Sequence, residues 1–227
     1  HGTSFEPGTD VRYSNSGYYL LTRILEQKYG KSYHEVVKEH ITRRLNLKHF
    51  HSYFDYPENI FKSYEHKNDW IEVQEFDFEN AIGVGDIVST AHDLNVLISA
   101  LFSFKLLKKE SLNLMKPITD IEVFGRGMMS IPFYENQLYG HGGDTYGTHS
   151  VCAYNEKDKL AITYAINGED YPTNDFALGL LSIIYDKKFQ YPDFTEFQVD
   201  SEVLSRYIGV YSSSSFPIKL TITKDGN

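Results

Sequence analysis

The chain has 227 residues, of which 41% are hydrophobic and 23% charged, a composition typical of a folded globular protein. Its 31 acidic residues outnumber its 22 basic residues, and the resulting net charge of −9 argues against binding of a nucleic-acid backbone through bulk charge. The single cysteine, Cys152, excludes an internal disulfide and any metal site built from several cysteines.

Helical patterns dominate the first half of the chain. The first helix is predicted from apolar residues at helical spacing, which are Leu21, Ile24, Leu25 and Tyr29. Gly30 then marks the end of this helix. A second helix is predicted to start at the capping-box pattern of Ser32 and Glu35. Its apolar stripe consists of Val36, Val37, Ile41 and Leu45.

Residues 54–78 have mixed charge, many aromatic side chains and no regular period, so we expect a long irregular segment there. The pattern from Thr90 to Asp93 predicts another capping box, followed by a helix with Leu94, Leu97, Ile98 and Leu101 on one face. A short further helix is predicted to end at Lys116-Pro117. The apolar stretch 94–104 has 11 residues, whereas a membrane-spanning helix needs about 20, so no membrane span is expected.

The pattern changes after Pro117. Strands are predicted over 123–131, 148–155 and 160–167, the last two joined by a polar hairpin loop, and a helix is predicted over 174–185. Helices followed by antiparallel strands and one helix packed on them indicate an α+β fold of the α/β-sandwich type.

A change of composition near Tyr191-Pro192 suggests a domain boundary. We expect one domain over 1–190, with a helical subdomain at about 13–117 and a sheet part at about 120–188. Residues 199–227 are interpreted as the start of a separate β module, with strands over 204–211 and 217–223. The Asp-Gly hairpin signal at the very end suggests that this module is cut, and no signal peptide is recognisable at the start.

Two short stretches carry the chemistry-bearing residues. Tyr13-Ser14-Asn15 lies within 5–18, and His141-Gly142-Gly143 lies within 139–147. In this order and context they resemble the second and third motifs of the serine β-lactamase and penicillin-binding protein family, on the branch of class C β-lactamases, D-alanyl-D-alanine peptidases and related esterases. The glycine-containing segment 81–94 is similar to a turn and helix of the same family.

The family's first motif, Ser-x-x-Lys, is missing, since no lysine of this chain has a serine three positions before it. The nearest pattern is Thr221-Ile222-Thr223-Lys224. Family order places Ser-x-x-Lys upstream of Tyr13. The resemblance therefore implies a fragment without its nucleophile, which we expect to be inactive by itself, poorly soluble or partly unfolded because a sheet edge and apolar faces are exposed.

The resemblance implies acyl transfer through a serine ester, without a metal or an organic cofactor. Tyr13 would accept the serine proton and return it to the leaving group. Asn15 would orient the missing lysine and donate to a substrate carbonyl. His141 would act as a donor or proton carrier near the leaving group or the substrate carboxylate.

The same resemblance assigns the next three residues to substrate binding. Gly142 and Gly143 would let substrate approach the backbone, and the N–H of Asp144 would be one oxyanion donor. The implied substrate is a small molecule or peptide with an amide or ester bond. D-amino-acid peptidase, esterase and β-lactamase-like activities share these motifs, and a histidine in place of lysine fits the first two better.

Other interpretations stay open at this point. The structural alternatives are that Tyr13 is a half-buried loop tyrosine, Asn15 only a helix N-cap, and His141 a strand histidine bonded to a carbonyl. For Gly142-Gly143 the alternative is a simple bulge or tight turn. A protein of the same fold without the nucleophile would be a non-catalytic peptide- or muropeptide-binding protein. The family resemblance favours the cell envelope, while the oligomeric state stays undetermined.

Several further residues have both a functional and a structural interpretation. His49 and His51 suggest a metal pair, but no third ligand follows at a suitable spacing, which favours a surface loop. Arg126 is a candidate partner for a substrate carboxylate. The aromatic residues of 53–78 would form a substrate wall or pack the segment onto the domain. His149 and Tyr146 would line the cleft or belong to the core.

Overall fold

The computed structural model describes residues 3–6, 8–10, 12–55, 58, 60–73, 77–117, 123–193, 195, 198–213 and 216–224. A helical half is followed by a four-stranded antiparallel sheet, a helix packed on that sheet and a terminal hairpin. This arrangement confirms the α+β class.

Helix α1 comprises Asn15–Tyr29 and ends, as predicted, at Gly30, whose φ of 63° favours glycine. Its N-cap is Ser14, whose hydroxyl accepts a hydrogen bond from the Gly17 N–H at 3.1 Å. The alternative that Asn15 caps this helix is therefore wrong, because Asn15 is the first helical residue.

The second helical segment is continuous but not uniform. It consists of α2 (Tyr33–Val37), a π-helical turn (Lys38–Thr42) and α3 (Arg43–Leu45). The predicted capping box is confirmed, since the Ser32 hydroxyl accepts from the Glu35 N–H and the Glu35 carboxylate accepts from the Ser32 N–H.

The segment predicted as irregular contains two short strands, and one more lies on each side of it. Strand β1 (Phe50–Ser52) pairs with β4 (Ile87–Ser89), and β2 (Tyr64–His66) pairs with β3 (Trp70–Glu72) in a hairpin. Single turns of 3₁₀-helix lie at Tyr53–Asp55 and Phe78–Ala81. The prediction of an irregular segment over 54–78 is thus wrong for the β2–β3 hairpin, since three-residue strands are too short to show a period.

Helix α4 comprises Ala91–Phe102, and the Thr90 hydroxyl accepts from the Asp93 N–H at 3.2 Å. The Asp93 carboxylate, however, accepts from the His49 N–H at 2.6 Å, so only half of the predicted capping box forms. Helix α5 (Lys109–Met115) ends before Lys116-Pro117, as predicted.

The sheet consists of β5 (Met129–Phe133), β6 (Asn136–Thr145), β7 (Thr148–Asn155) and β8 (Leu160–Ile166) in that spatial order. Helix α6 (Thr173–Ile184) follows. The predicted strands 148–155 and 160–167 and the predicted helix 174–185 are confirmed to within one residue.

Two hydrophobic clusters flank the sheet. The first joins α4 and α5 to it and contains Ile98, Phe102, Leu112, Met128 and Tyr154. The second joins α6 to it and contains Phe133, Leu138, Ala153, Ile162 and Leu181. Each face of the sheet therefore carries helices, as a layered fold requires.

The predicted strand over 123–131 begins later than expected. Residues 123–128 form a turn closed by a bridge between Phe124 and Met129. A Cβ at Gly125 would lie 2.3 Å from the Lys116 carbonyl carbon, and Gly127 has a φ of 111°, a conformation that favours glycine. Close packing against the end of α5 thus turns this segment away from the sheet.

The last described residues form α7 (Ser201–Ser205) and an antiparallel hairpin of β9 (Gly209–Ser213) and β10 (Phe216–Ile222). The strand predicted over 204–211 is therefore wrong at its start, which belongs to α7. The predicted Asp225-Gly226 turn lies outside the described residues. The division at about residue 190 stays a prediction.

Apolar side chains are exposed on α1, where Leu20, Leu21 and Ile24 keep more than half of their surface accessible. Strand β8 pairs only with β7 in the described part of the chain. Both features leave apolar surface and a sheet edge uncovered among the described residues. None of the described helices is long and apolar enough to span a membrane.

Candidate active site

A cleft of about 400 Å³ lies between the start of α1, the turn at 123–128 and strand β6. It is lined by Arg12, Tyr13, Ser14, Gly17, Tyr18, Leu21, Phe124, Gly125, Arg126, Gly127, Met128 and His141. The fold therefore brings together Tyr13 and Ser14 of the first predicted motif and His141 of the second, although the two motifs are far apart in the sequence.

Tyr13 and His141 face each other in this cleft. Their ring centroids are 5.9 Å apart, and the Phe124 ring lies 5.3 Å from Tyr13 on another side. Tyr13 is about half exposed, at 49% of its surface, so its phenol is accessible to a bound molecule. Two of the three predicted catalytic side chains are thus neighbours across an open cleft.

The hydrogen bond of His141 fixes the chemistry that its ring presents. Nδ1 lies 2.5 Å from the Gly142 carbonyl oxygen, which can only accept. In the neutral ring Nδ1 therefore carries the proton and Nε2 presents a lone pair. Among the described residues Nε2 has no protein partner, which leaves it available to accept or carry a proton.

Asn15 stands apart from this pair. It lies in the first turn of α1, two residues after Tyr13, and its side chain is exposed. It is not among the residues that line the cleft. The structure thus brings Tyr13 and His141 together but does not place Asn15 against the same wall.

Strand β6 changes its surroundings at Gly140. Strand β5 pairs with residues 136–140 and ends there, whereas β7 pairs with β6 up to Thr145. Because antiparallel backbone groups alternate in direction and Thr145 and Thr148 close a two-residue turn, the N–H and C=O groups of Gly142 and Asp144 point away from β7. These groups face the side that β5 leaves uncovered.

The glycines of β6 differ in what the fold requires of them. A Cβ at Gly140 would lie 2.0 Å from the Cys152 carbonyl oxygen, so packing requires a glycine there. A Cβ at Gly142 would meet only ordinary contacts, none closer than 3.7 Å. At Gly143 it would lie 3.2 Å from the Ser150 hydroxyl. The fold therefore does not explain the glycine at position 142.

The Asp144 side chain does not point into the cleft. Its carboxylate lies 2.8 Å from Nδ1 of His149, its cross-strand neighbour, and 79% of the side chain is exposed. Nε2 of His149 faces Glu169 at 3.3 Å. His149 therefore joins the end of the β6–β7 hairpin to the segment after β8, and neither His149 nor Tyr146 lines the cleft.

Two arginines, Arg12 and Arg126, line the cleft. Arg12 donates to the Ser4 hydroxyl at 3.1 Å, and neither Arg12 nor Arg126 has a carboxylate within ion-pair distance in the described part of the chain. Arg126 was a candidate on sequence grounds. Arg12 was not predicted as a site residue, because the only signal in the sequence was its position next to Tyr13.

A buried polar cluster supports the wall that carries Tyr13. The Asp86 carboxylate, 2% exposed, accepts from the Gly83 N–H at 2.7 Å and lies 2.6 Å from Nε2 of His34. Gly83 packs directly on Thr22 of α1. Burial, together with the negative charge of Asp86, raises the pKa of Tyr33 to about 12. Sequence analysis missed this cluster because its members are distant along the chain.

The cleft offers no activated nucleophile among its described residues. Ser14 is the one serine in its lining, and its oxygen caps α1. Among the described residues no three histidine, cysteine, aspartate or glutamate side chains converge as metal ligands. Of His49 and His51, considered above as a metal pair, His49 directly precedes β1 and its N–H donates to the Asp93 carboxylate, while His51 lies within β1.

Comparison with known proteins gives a family match. A sequence profile described as Beta-lactamase matches residues 1–182, which is most of the chain. The match contains both motif stretches and the whole cleft. It ends near the end of α6, before the terminal α7 and hairpin.

Solved structures with the same fold include hydrolases and penicillin-binding homologues. The D-amino acid amidase of Ochrobactrum anthropi SV3 is 24% identical, with a TM-score of 0.72 over 82% of this chain and 62% of its own. A D-stereospecific amidohydrolase from Streptomyces sp. is 24% identical, with a TM-score of 0.67 over 74% of this chain and 53% of its own. The octameric penicillin-binding protein homologue of Pyrococcus abyssi is 21% identical, with a TM-score of 0.69 over 98% of this chain and 52% of its own. The chain thus spans between about half and three-fifths of the length of these structures.

Proposed function

Because this chain belongs to the beta-lactamase family, we propose that it is the C-terminal part of a serine hydrolase that cleaves amide or ester bonds through an acyl-serine. The observation that carries the proposal is the meeting of Tyr13 and His141 in one cleft, beside the uncovered edge of β6. The absence of Ser-x-x-Lys from the chain and its partial coverage of the related structures support an upstream segment that holds the nucleophile.

In the proposed reaction the serine oxygen attacks the carbonyl carbon of the substrate. Tyr13 takes the hydroxyl proton and returns it to the leaving nitrogen or oxygen as the carbonyl bond to that atom breaks. Water then attacks the acyl-serine, and its proton follows the same route to the serine oxygen. Asn15 would orient the upstream lysine that favours the anionic form of the phenol.

The uncovered edge of β6 supplies the electrostatic part of this mechanism. The N–H of Asp144 points to the cleft side of the strand and would donate to the oxyanion of the tetrahedral intermediate. Gly142 and Gly143 would leave room for substrate along the same edge. The Nε2 lone pair of His141 would carry a proton near the leaving group.

The first test is the intact mass of the protein from its native source after exposure to a fluorophosphonate, which phosphonylates activated serines. We expect a mass above 26.2 kDa with one probe adduct that maps upstream of Tyr13. A longer protein without an adduct would contradict the enzyme and favour the non-catalytic binding protein. A native mass of 26.2 kDa would contradict the upstream nucleophile.

The charge of the cleft points to the substrate class within this proposal. Arg12 and Arg126 present two guanidinium groups that form no ion pair with a carboxylate of the described residues. Such a cleft attracts a substrate carboxylate through charge-assisted hydrogen bonds and repels an ammonium group. This feature favours a peptidase that acts next to a free carboxylate over an amidase that acts on D-amino-acid amides, whose free amino group is cationic.

A matched pair of peptides tests the substrate class. We expect N-acetyl-D-alanyl-D-alanine to have a kcat/KM at least about ten times that of its C-terminal amide, the size of one charge-assisted hydrogen bond. Arg126→Gln should bring the two values close together. Arg206→Gln, at the end of α7, is the control and should leave the preference intact. An equal preference in the unmodified protein would contradict the role of the arginines.

A further inference from the structure

A second concavity, of about 480 Å³, lies on the helical half and shares no residue with the cleft. Helices α3 and α4 and the segment after α4 form it. Its lining consists of Arg44, Leu45, His92, Asn95, Val96, Ser99, Ala100, Ser103 and Lys105. Its volume lies in the range of small-molecule sites.

The charge of this concavity contrasts with that of the whole protein. The chain carries a net charge of −9, yet the lining contains Arg44, Lys105 and His92 and no acidic residue. None of these three has a carboxylate within ion-pair distance among the described residues, whereas lysines such as Lys31 and Lys62 do. The concavity is therefore a local positive region on an acidic protein, which attracts anions.

The polar groups of the lining are arranged as donors. One guanidinium nitrogen of Arg44 donates to the Lys105 carbonyl oxygen at 2.5 Å, which holds the planar group at the rim. The Asn95 side-chain oxygen accepts from the Thr163 hydroxyl at 2.8 Å, so its amide N–H groups remain as donors. Ser99 lies one turn before Ser103, whose hydroxyl already donates to the Ala100 carbonyl oxygen at 3.3 Å, so Ser99 is the serine donor of this lining.

We propose that this concavity binds the phosphate group of a small phosphorylated molecule. The planar fork of Arg44 matches two phosphate oxygens, and the Lys105 ammonium adds a compact positive charge. Hydroxyl and amide donors at Ser99 and Asn95 satisfy further oxygens. A phosphate, with more charge and more acceptor oxygens than a carboxylate, uses this set of donors more completely.

The test is calorimetric titration of the full-length protein with inorganic phosphate, with glucose 6-phosphate and with glucose. We expect saturable binding of both phosphate compounds, tighter for the ester, and none of glucose. Lys105→Gln should weaken binding about tenfold or more, and because its ammonium has no protein partner among the described residues, the fold is retained. Arg44→Gln should have an effect of the same size.

Arg43→Gln is the matched control, since Arg43 is on the same helix but outside the lining. Its affinity for phosphate should stay within about twofold of the unmodified protein. Equal weakening by Arg43→Gln and Arg44→Gln, or no saturable binding of the ester, would overturn the proposal. Thermal melting of each variant distinguishes loss of binding from loss of the fold.

Discussion

The two halves of strand β6 have the same partner on one side and different surroundings on the other. Residues 136–140 lie between β5 and β7, and Leu138 among them is 1% exposed. Residues 141–145 lie beside β7 alone; His141 lines the cleft, and the backbone groups of Gly142 and Asp144 point away from β7. The first half of β6 therefore belongs to the core, and its second half belongs to the candidate site. In the second half, the stability of the fold restricts the choice of residues less.

The largest effect on stability is expected from Gly140→Ala, in the half of β6 that lies between two strands. The new Cβ would lie 2.0 Å from the Cys152 carbonyl oxygen and 2.6 Å from the Ala153 Cα, both parts of the backbone. We expect the free energy of unfolding to fall by about 3 kcal/mol, the upper end for overpacking. Urea unfolding of the full-length protein measures this change. A variant as stable as the parent would contradict the close strand packing.

The loss of stability at alkaline pH should arise from the phenol of Tyr33, which lies in α2 and not in β6. Burial raises the pKa of Tyr33 to about 12, so between pH 10 and 12 the unfolded chain releases this proton before the folded one does. The stabilisation is therefore complete below pH 10 and is lost as the pH rises towards 12. We expect a fall of about 2–3 kcal/mol over this window.

The control for this titration is Tyr33→Phe, which has no proton to lose and should remove most of the fall. The measurement is urea unfolding at several pH values, with each variant compared with the parent at the same pH. An identical alkaline slope in both proteins would show that the Tyr33 phenol is not the group responsible.

Gly142→Ala tests the other half of β6, which lies beside β7 alone. Its Cβ would meet only ordinary contacts, so we expect the free energy of unfolding to change by less than about 1 kcal/mol. Hydrolysis of an activated ester by the full-length protein should nevertheless slow about tenfold, because the added methyl group occupies the edge along which substrate would bind. A Gly142→Ala variant that loses stability but keeps full activity would contradict the assignment of this half of β6 to the candidate site.

The smallest expected effect concerns the opposite wall of the cleft. Ser14→Ala removes the hydroxyl that accepts from the Gly17 N–H at the start of α1, next to Tyr13. We expect a loss of about 1 kcal/mol in the free energy of unfolding, the usual cost of a lost N-cap. Ser16→Ala, in the first turn and without a cap bond, is the control in the same denaturation experiment. Equal losses in both variants would contradict the capping role.

Local patterns predicted most of the helices and two of the sheet strands. The capping residues Ser32 and Glu35 and the stop at Gly30 act within one turn of the chain, so the sequence contains the whole interaction. The turn at 123–128 was predicted wrongly, because the close approach of Gly125 to Lys116 depends on how α5 packs. The helix or strand propensity of the residues in this turn carries no information about a contact with a distant segment.

The candidate site shows the same division between local and distant information. Tyr13 and His141 were identified from short motifs, and the structure places them side by side. The pair of His34 and Asp86 joins residues 52 positions apart and has no sequence pattern of its own. Arg12 was missed for the same reason, since its importance depends on the cleft that the distant strand β6 completes.

The most direct test of the account is the rate of activated-ester hydrolysis by full-length Tyr13→Phe and His141→Ala variants. We expect each variant to lose at least about a hundredfold in kcat, the usual contribution of a positioned acid or base, while melting like the parent. Because both groups would act on the same proton transfers, the double variant should lose much less than the product of the single losses. Parental rates in both single variants would contradict the assignment of this cleft as the active site.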